Sequence, residues 1–184
     1  MNLLITFALV PLIIVLEFIV LPAIILKKVI KRLYILDNYP IFVLNSNSNN
    51  AFSFTSIWGK FIVITSSLLN KEDDEHINAV IAHELGHIKL NHHIKMTIFI
   101  ILMIIMLSSV LNYPLLVPLF AVFALFSQRY IQRRLELEAD KFAIIYVNKD
   151  LLKDIIIKYN DNKTSLLSTH PSTQVRLKNI SNVK

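Results

Sequence analysis

Two histidines four residues apart, His83 and His87, enclose Glu84 in the stretch Ala82-His83-Glu84-Leu85-Gly86-His87. On a helix the two imidazoles project side by side from one face. Neutral histidine nitrogens are good zinc ligands, with N–Zn distances of about 2.0–2.1 Å. Glu84 follows His83 directly, close enough to act on a water at the metal without ligating the metal itself. This spacing therefore points to hydrolysis by a zinc ion with a glutamate as general base. The surrounding sequence favours a helix starting at Asn70. That residue can cap, the acidic run Glu72–Glu75 suits the positive end of the helix dipole, and Ile77, Val80, Ile81, Leu85 and Ile88 recur at helical spacing.

A catalytic zinc keeps three protein ligands and an open position. Two residues compete for the third place. His93 lies six residues after His87, at the spacing of a metzincin's last histidine, but Leu90 stands where such a motif needs a glycine to turn the chain back. A helix continuing through His92 and His93 carries both away from the pair and leaves them as polar residues at a membrane surface. Glu136, delivered by a second helix over Tyr130–Val147, is the better candidate and makes a His2Glu site. Asp140 lies one turn further along the same face.

The elements that position these residues divide between lipid and water. Of the 184 residues 54% are hydrophobic and 17% charged, too apolar for an ordinary soluble domain. Leu3–Leu26 carries Glu17 as its one formal charge and is long enough to span a bilayer. No basic residue precedes it and no small-residue cleavage site follows, so it reads as an anchor rather than a signal peptide. Lys27, Lys28, Lys31 and Arg32 come next and hold the following chain in the cytosol by the positive-inside rule. Met96–Gln128 contains no charged residue and is broken by Asn112-Tyr113-Pro114, the pattern of an apolar helical hairpin, spanning or re-entrant. Arg129, Arg133 and Arg134 after it give the same cytosolic assignment.

Between the first span and the zinc helix, Ile41–Leu44, Ala51–Thr55 and Phe61–Thr65 read as strands of a small antiparallel sheet, with Asn45–Asn50 and Trp58–Lys60 as turns. The edge at Ala51–Thr55 is a candidate for holding an extended substrate by its main chain. The expected fold is therefore an α+β membrane protein. It has an N-terminal transmembrane helix over 1–26 and a mostly helical metalloprotease domain over 27–184. The small sheet belongs to that domain, and the hairpin 96–128 interrupts it. With Cys 0 there are no thiolate ligands, and with Gly 2 there is no phosphate-cradling loop. The formal net charge of +6 does not signal nucleic acid, because its basic residues gather beside the apolar runs.

His83-Glu84-Leu85-Gly86-His87, then Glu136-Leu137-Glu138-Ala139-Asp140, then His170-Pro171, resembles the membrane-embedded zinc metalloproteases typified by the bacterial HtpX protease and the eukaryotic CAAX prenyl protease. Those proteins likewise place membrane segments between their two metal motifs. The resemblance extends to Asn50-Ala51-Phe52 upstream and Arg176 downstream. It implies one zinc ion per chain on His83, His87 and Glu136, with Glu84 as the catalytic glutamate. Asp140 and Arg176 would support the ligands, His170 would stabilise the oxyanion, and Asn50, Ala51 and Phe52 would meet substrate. The expected function is a membrane-anchored zinc endopeptidase acting on membrane proteins or short peptides at the cytosolic face, with the lipid bilayer and a peptide substrate as partners. Nothing in the sequence fixes an oligomeric state. A zinc-holding membrane sensor or adaptor without turnover is the alternative, and the intact Glu84 argues against it.

Overall fold

In a computed structural model, which describes residues 2–159 and 168–183, a small sheet packs on one face of the helix that carries His83 and His87, and three helices pack on another. The N-terminal run is a continuous helical rod, α1 (Asn2–Val15), a π-helical stretch (Leu16–Val20) and α2 (Leu21–Lys27). Four strands follow: β1 (Val29–Leu36), β2 (Tyr39–Leu44), β3 (Ala51–Ser56) and β4 (Gly59–Thr65). Then come α3 (Ser66–Lys71), α4 (Asp74–Lys89), α5 (His92–Val110), α6 (Val117–Ala143), α7 (Lys149–Tyr159) and α8 (Thr173–Ser181).

The sheet is mixed rather than purely antiparallel. Its strand order is β1-β2-β4-β3, and β2 runs parallel to β4 while β1–β2 and β3–β4 are antiparallel. Alternation of apolar residues marks a strand but carries no direction, which is why the sequence leaves parallel and antiparallel neighbours alike. The polar loop 45–50 carries the chain past β2, so β3 lands on the far side of β4. β4 thereby becomes a central strand, and Phe61, Ile62, Val63, Ile64 and Thr65 are all buried. The basic segment after the first span is itself a strand, β1, joined to β2 by Asp37 and Asn38 with φ of 48° and 69°, the left-handed pair of a tight hairpin.

α4 begins later than the acidic run suggests. Asp73, not Asn70, is its cap and accepts a hydrogen bond from the His76 amide at 2.9 Å. Asn70 falls in the separate short helix α3. From α4, Ile77, Ile81, Leu85 and Ile88 pack with Ile41, Ile62 and Ile64 of the sheet and with Leu68. Ala82, on another face, joins Ala143, Leu152, Ile156 and Ile180 from α6, α7 and α8. α4 is thus covered on both faces, and only the stripe carrying its histidines is left for chemistry.

α4 does not run on through His92 and His93. It stops at Lys89, and Asn91 adopts φ 56° and ψ 39°, the left-handed conformation that an asparagine tolerates at a helix end. The chain therefore changes direction before α5. After α5, a turn over 111–116 reverses it into α6, as Asn112-Tyr113-Pro114 foretells. The returning arm and the second zinc-motif helix are not two elements but one: α6 runs unbroken from Val117 to Ala143.

Among the described residues, three helical segments are long and apolar enough to cross a membrane: Phe7–Lys27, His92–Val110 and Pro114–Ala143. Their apolar side chains face outward, as at Phe7, Leu102, Leu119 and Phe123, each more than half exposed. Surfaces of this kind need lipid or protein to cover them.

Candidate active site

The two chemical motifs meet because α4 and α6 approach unusually closely at one point. A Cβ on Gly86 would lie 3.1 Å from both the Cα and the carbonyl oxygen of Ala139, and 3.3 Å from Phe142 Cβ. Glycine on one helix and alanine on the other let the backbones touch there. Three residues before each contact stand His83 on α4 and Glu136 on α6. The small pair therefore sets the depth at which the carboxylate meets the histidines.

His83 Nε2 and His87 Nε2 are 3.2 Å apart. Glu136 brings Oε2 to 3.5 Å from His83 Nε2 and Oε1 to 3.4 Å from His87 Nε2. Ligands about 2.0–2.1 Å from a tetrahedral ion lie roughly 3.3–3.4 Å from one another, so the two imidazole nitrogens, each with one carboxylate oxygen of Glu136 beside it, lie close to the separations of a zinc site. The donor set, two imidazoles and one carboxylate, is also a zinc set rather than a calcium or magnesium one. The residues fit the group.

Behind the three donors stands a chain of buried charge. His83 Nδ1 lies 3.0 Å from Asp140 Oδ1, though off the axis of the ring N–H. Asp140 is fully buried and grips Arg176 of α8 by two bonds, Nε to Oδ2 at 2.8 Å and Nη2 to Oδ1 at 2.5 Å. A bidentate guanidinium fixes the plane of the carboxylate, and the carboxylate then fixes the ring of His83. Burial pulls the His83 pKa down, but Asp140 and Glu136 override it and raise the imidazole to about 10. Without a metal His83 therefore holds a proton at neutral pH, which a zinc ion must displace. Burial likewise works against the charge on Arg176, and the Asp140 pair more than restores it.

Glu84 lines a cleft of about 310 Å³ together with Asn49, Asn50, Ala51, His83, Glu136 and His170. Among the described residues no hydrogen bond or ion pair ties down its carboxylate. His170, just before α8, is half exposed and places Nδ1 3.1 Å from Glu136 Oε2. His83, Glu84, His87, Glu136, Asp140, His170 and Arg176 thus gather at one site, with Asn50 and Ala51 on its rim. Phe52 does not line the cleft; its ring sits 6.4 Å from that of Phe54.

The two histidines after the zinc helix are not at the surface. The left-handed turn at Asn91 swings His92 back under the site, where it is 2% exposed with Nδ1 2.9 Å from His87 Nδ1. It backs His87 as Asp140 backs His83, and its Nε2 lies 3.4 Å from Glu138 Oε2. The sequence signal was Asn91 itself, a residue suited to ending a helix and reversing it. His93 takes a different task, donating from Nε2 to the Ser53 carbonyl of β3 at 2.6 Å. This bond occupies the Ser53 carbonyl, while Ala51 at the start of β3 lies beside the cleft.

The sequence profile of peptidase family M48 matches residues 23–184. CAAX prenyl protease 1 of Saccharomyces cerevisiae is 38% identical over 82 residues, which cover 40% of this chain and 18% of that protein. The CAAX prenyl protease 1 homolog of Arabidopsis thaliana is 25% identical over 173 residues, covering 79% of this chain and 40% of that one. The crystal structure of S. mikatae Ste24p superimposes with a TM-score of 0.62 at 26% identity, over 77% of this chain and 44% of that one. The chain thus spans less than half the length of each of these relatives. With the two motifs and the membrane helices between them, it belongs to peptidase family M48.

Proposed function

We propose that this chain is a zinc endopeptidase that lies in the membrane with its cleft on the cytosolic side and cuts extended peptide segments of membrane proteins or short peptides. The observation that carries the reading is the convergence of His83, His87 and Glu136 at zinc-ligand separations beside an untethered Glu84. The relatives' name, CAAX prenyl protease, fits a substrate presented at the bilayer, and nothing narrower is taken from it.

His83, His87 and Glu136 would hold the zinc ion, which supplies Lewis acidity to the scissile carbonyl and to the attacking water. Glu84 takes a proton from that water as it attacks and returns it to the departing amine. His170 uses Nδ1 on Glu136, so Nε2 is left to donate toward the oxyanion that forms as the carbonyl becomes tetrahedral. The start of β3, Asn50 and Ala51, offers main-chain groups to an extended substrate at the rim. Lys27–Arg32 and Arg129–Arg134, two basic clusters flanking the apolar helices, support the cytosolic orientation.

The test is Glu84→Gln in detergent or vesicles with a quenched peptide. Activity should fall by several orders of magnitude while zinc content stays at one per chain. Cleavage at the wild-type rate by that variant would end the mechanism.

A further inference from the structure

Two large apolar residues stand at the tip of the β3–β4 turn, Ile57 at 63% and Trp58 at 59% exposure. Isolated on a soluble surface they would need no explanation. Here, however, the tip lies against the first apolar helix. The Ile57 amide donates to the Phe18 carbonyl at 3.2 Å, within the π-helical stretch Leu16–Val20. At the same height Thr97 of α5, itself buried, donates from Oγ1 to Glu17 at 2.7 Å. A turn amide placed in hydrocarbon without a partner is costly, and the Phe18 carbonyl removes that cost.

We propose that the Ile57–Trp58 turn is seated in the headgroup layer of the bilayer, and that the membrane surface passes through the level of the Glu17–Thr97 hydrogen bond. The proposal rests on the membrane reading of the three apolar helices and says where the lipid stops on them. Aromatic residues at the other helices agree with it. Tyr130 on α6 is 65% exposed, and Tyr113 at the far turn of the hairpin is 63% exposed. About 25 Å of chain at 1.5 Å per residue separates the two, close to the thickness of a hydrocarbon core. Trp58 and Tyr130 then form the belt at the cleft side, and Tyr113 the belt opposite. Lys60, next to the tip, points away from lipid to the Asn91 side chain at 2.6 Å and the Ile88 carbonyl at 3.2 Å. On this placement hydrocarbon covers the first rod up to Glu17, and α2, with Leu21 and Ile24 exposed, lies in the headgroup layer above it. Glu136, six residues beyond Tyr130, is held about 9 Å further out.

Trp58 is the chain's single tryptophan, so it reports its own depth. The full chain is reconstituted in phosphatidylcholine vesicles whose acyl chains are brominated either near the headgroup or near the chain end, with iodide as the aqueous quencher. The shallow bromines should quench Trp58 most, and iodide should quench it several-fold less than in the denaturant-unfolded chain. Ile57→Asp should restore iodide quenching while leaving zinc content unchanged. If the protein floats with the vesicles yet iodide reaches Trp58 as freely as in the unfolded chain, the turn is not in the bilayer and the proposal is wrong. If Ile57→Asp leaves lipid and iodide quenching unchanged, Ile57 does not help to seat the turn, which overturns the proposal in that form. If the protein does not float at all, the membrane reading beneath it fails as well, and the two failures are told apart by that flotation.

Discussion

Gly86→Ala is the substitution that asks most directly whether the α4–α6 contact sets the metal site. The added methyl would sit 3.1 Å from two backbone atoms of Ala139 and 3.3 Å from Phe142 Cβ, where ordinary contact begins near 3.4 Å and is comfortable at about 4 Å. The crowding is mainly against backbone, so no rotamer change relieves it. α6 must retreat by a few tenths of an ångström, and Glu136, one turn away, retreats with it. Overpacking of this kind costs about 1–3 kcal/mol in stability. Catalytic and metal constellations are held to within roughly 0.5 Å, and disturbing their supports lowers metal affinity about 10–100-fold. Zinc affinity by chelator competition, read beside thermal unfolding of the metal-free protein, separates the two effects. Gly59→Ala is the control, since nothing lies within 4 Å of its added methyl but its φ of +127° is strained for any side chain. That variant should lose about 1 kcal/mol of stability and keep its zinc. Adding Ala139→Gly to Gly86→Ala should not rescue zinc affinity, because the crowded Ala139 atoms are its Cα and carbonyl oxygen. If Gly86→Ala binds zinc as tightly as wild type, the close approach is not what places Glu136, and the reasoning is refuted.

Asp140→Asn should leave Arg176 buried without its counter-charge, costing about 3–5 kcal/mol, and should lower zinc affinity about 10–100-fold through His83. Adding Arg176→Met should recover much of the stability but not the zinc affinity, as unfolding and metal titration on the same samples will tell. His170→Ala should lower kcat about 10²–10³-fold with KM and zinc content near wild type, read from one titration of rate against substrate. An unchanged kcat would return His170 to the surface, and lost zinc would make it a ligand. Glu72 is a pH handle away from the site: burial pushes its pKa up, but bonds from Lys158 and Tyr159 prevail and hold it below the ordinary value. A carboxylate depressed on folding stabilises above its unfolded pKa of about 4.3 and ceases to as pH falls through the folded value. Acid unfolding should therefore shift toward neutral pH in Lys158→Met, and an unmoved acid midpoint would show that the pair contributes nothing.

Much of the site was legible because its chemistry is written at fixed helical offsets. His83, Glu84 and His87 within one turn, and Glu136 and Asp140 within another, state which atoms share a face before any fold is known. The same holds for the apolar hairpin, where the absence of charge from Met96 to Gln128 and the break at Asn112–Pro114 leave few alternatives. What escaped was whatever depends on a single backbone residue or on strand order. One left-handed asparagine, Asn91, decides whether His92 faces solvent or backs His87, and periodicity counts past such a residue without noticing it. β1 was hidden because Lys31 and Arg32 in the exposed strand read equally well as a topogenic cluster. The direction of β2 against β4 was hidden because alternation looks the same either way.

The turn at Asn91 is what sends α5 toward the membrane while returning His92 to the site and His93 to the Ser53 carbonyl. One residue's backbone angle therefore joins the candidate metal site, the edge of β3 and the apolar helix α5. Lys60 fastens that turn, bonding the Asn91 side chain and the Ile88 carbonyl together. The same strand pair carries Trp58 at its tip and Ala51 at the cleft. An apolar helix, a strand edge and a candidate metal site are thus held in register. In this fold that register depends on the left-handed turn and on the α4–α6 contact at Gly86. The first aims the histidines behind the site, and the second brings the carboxylate in front of it.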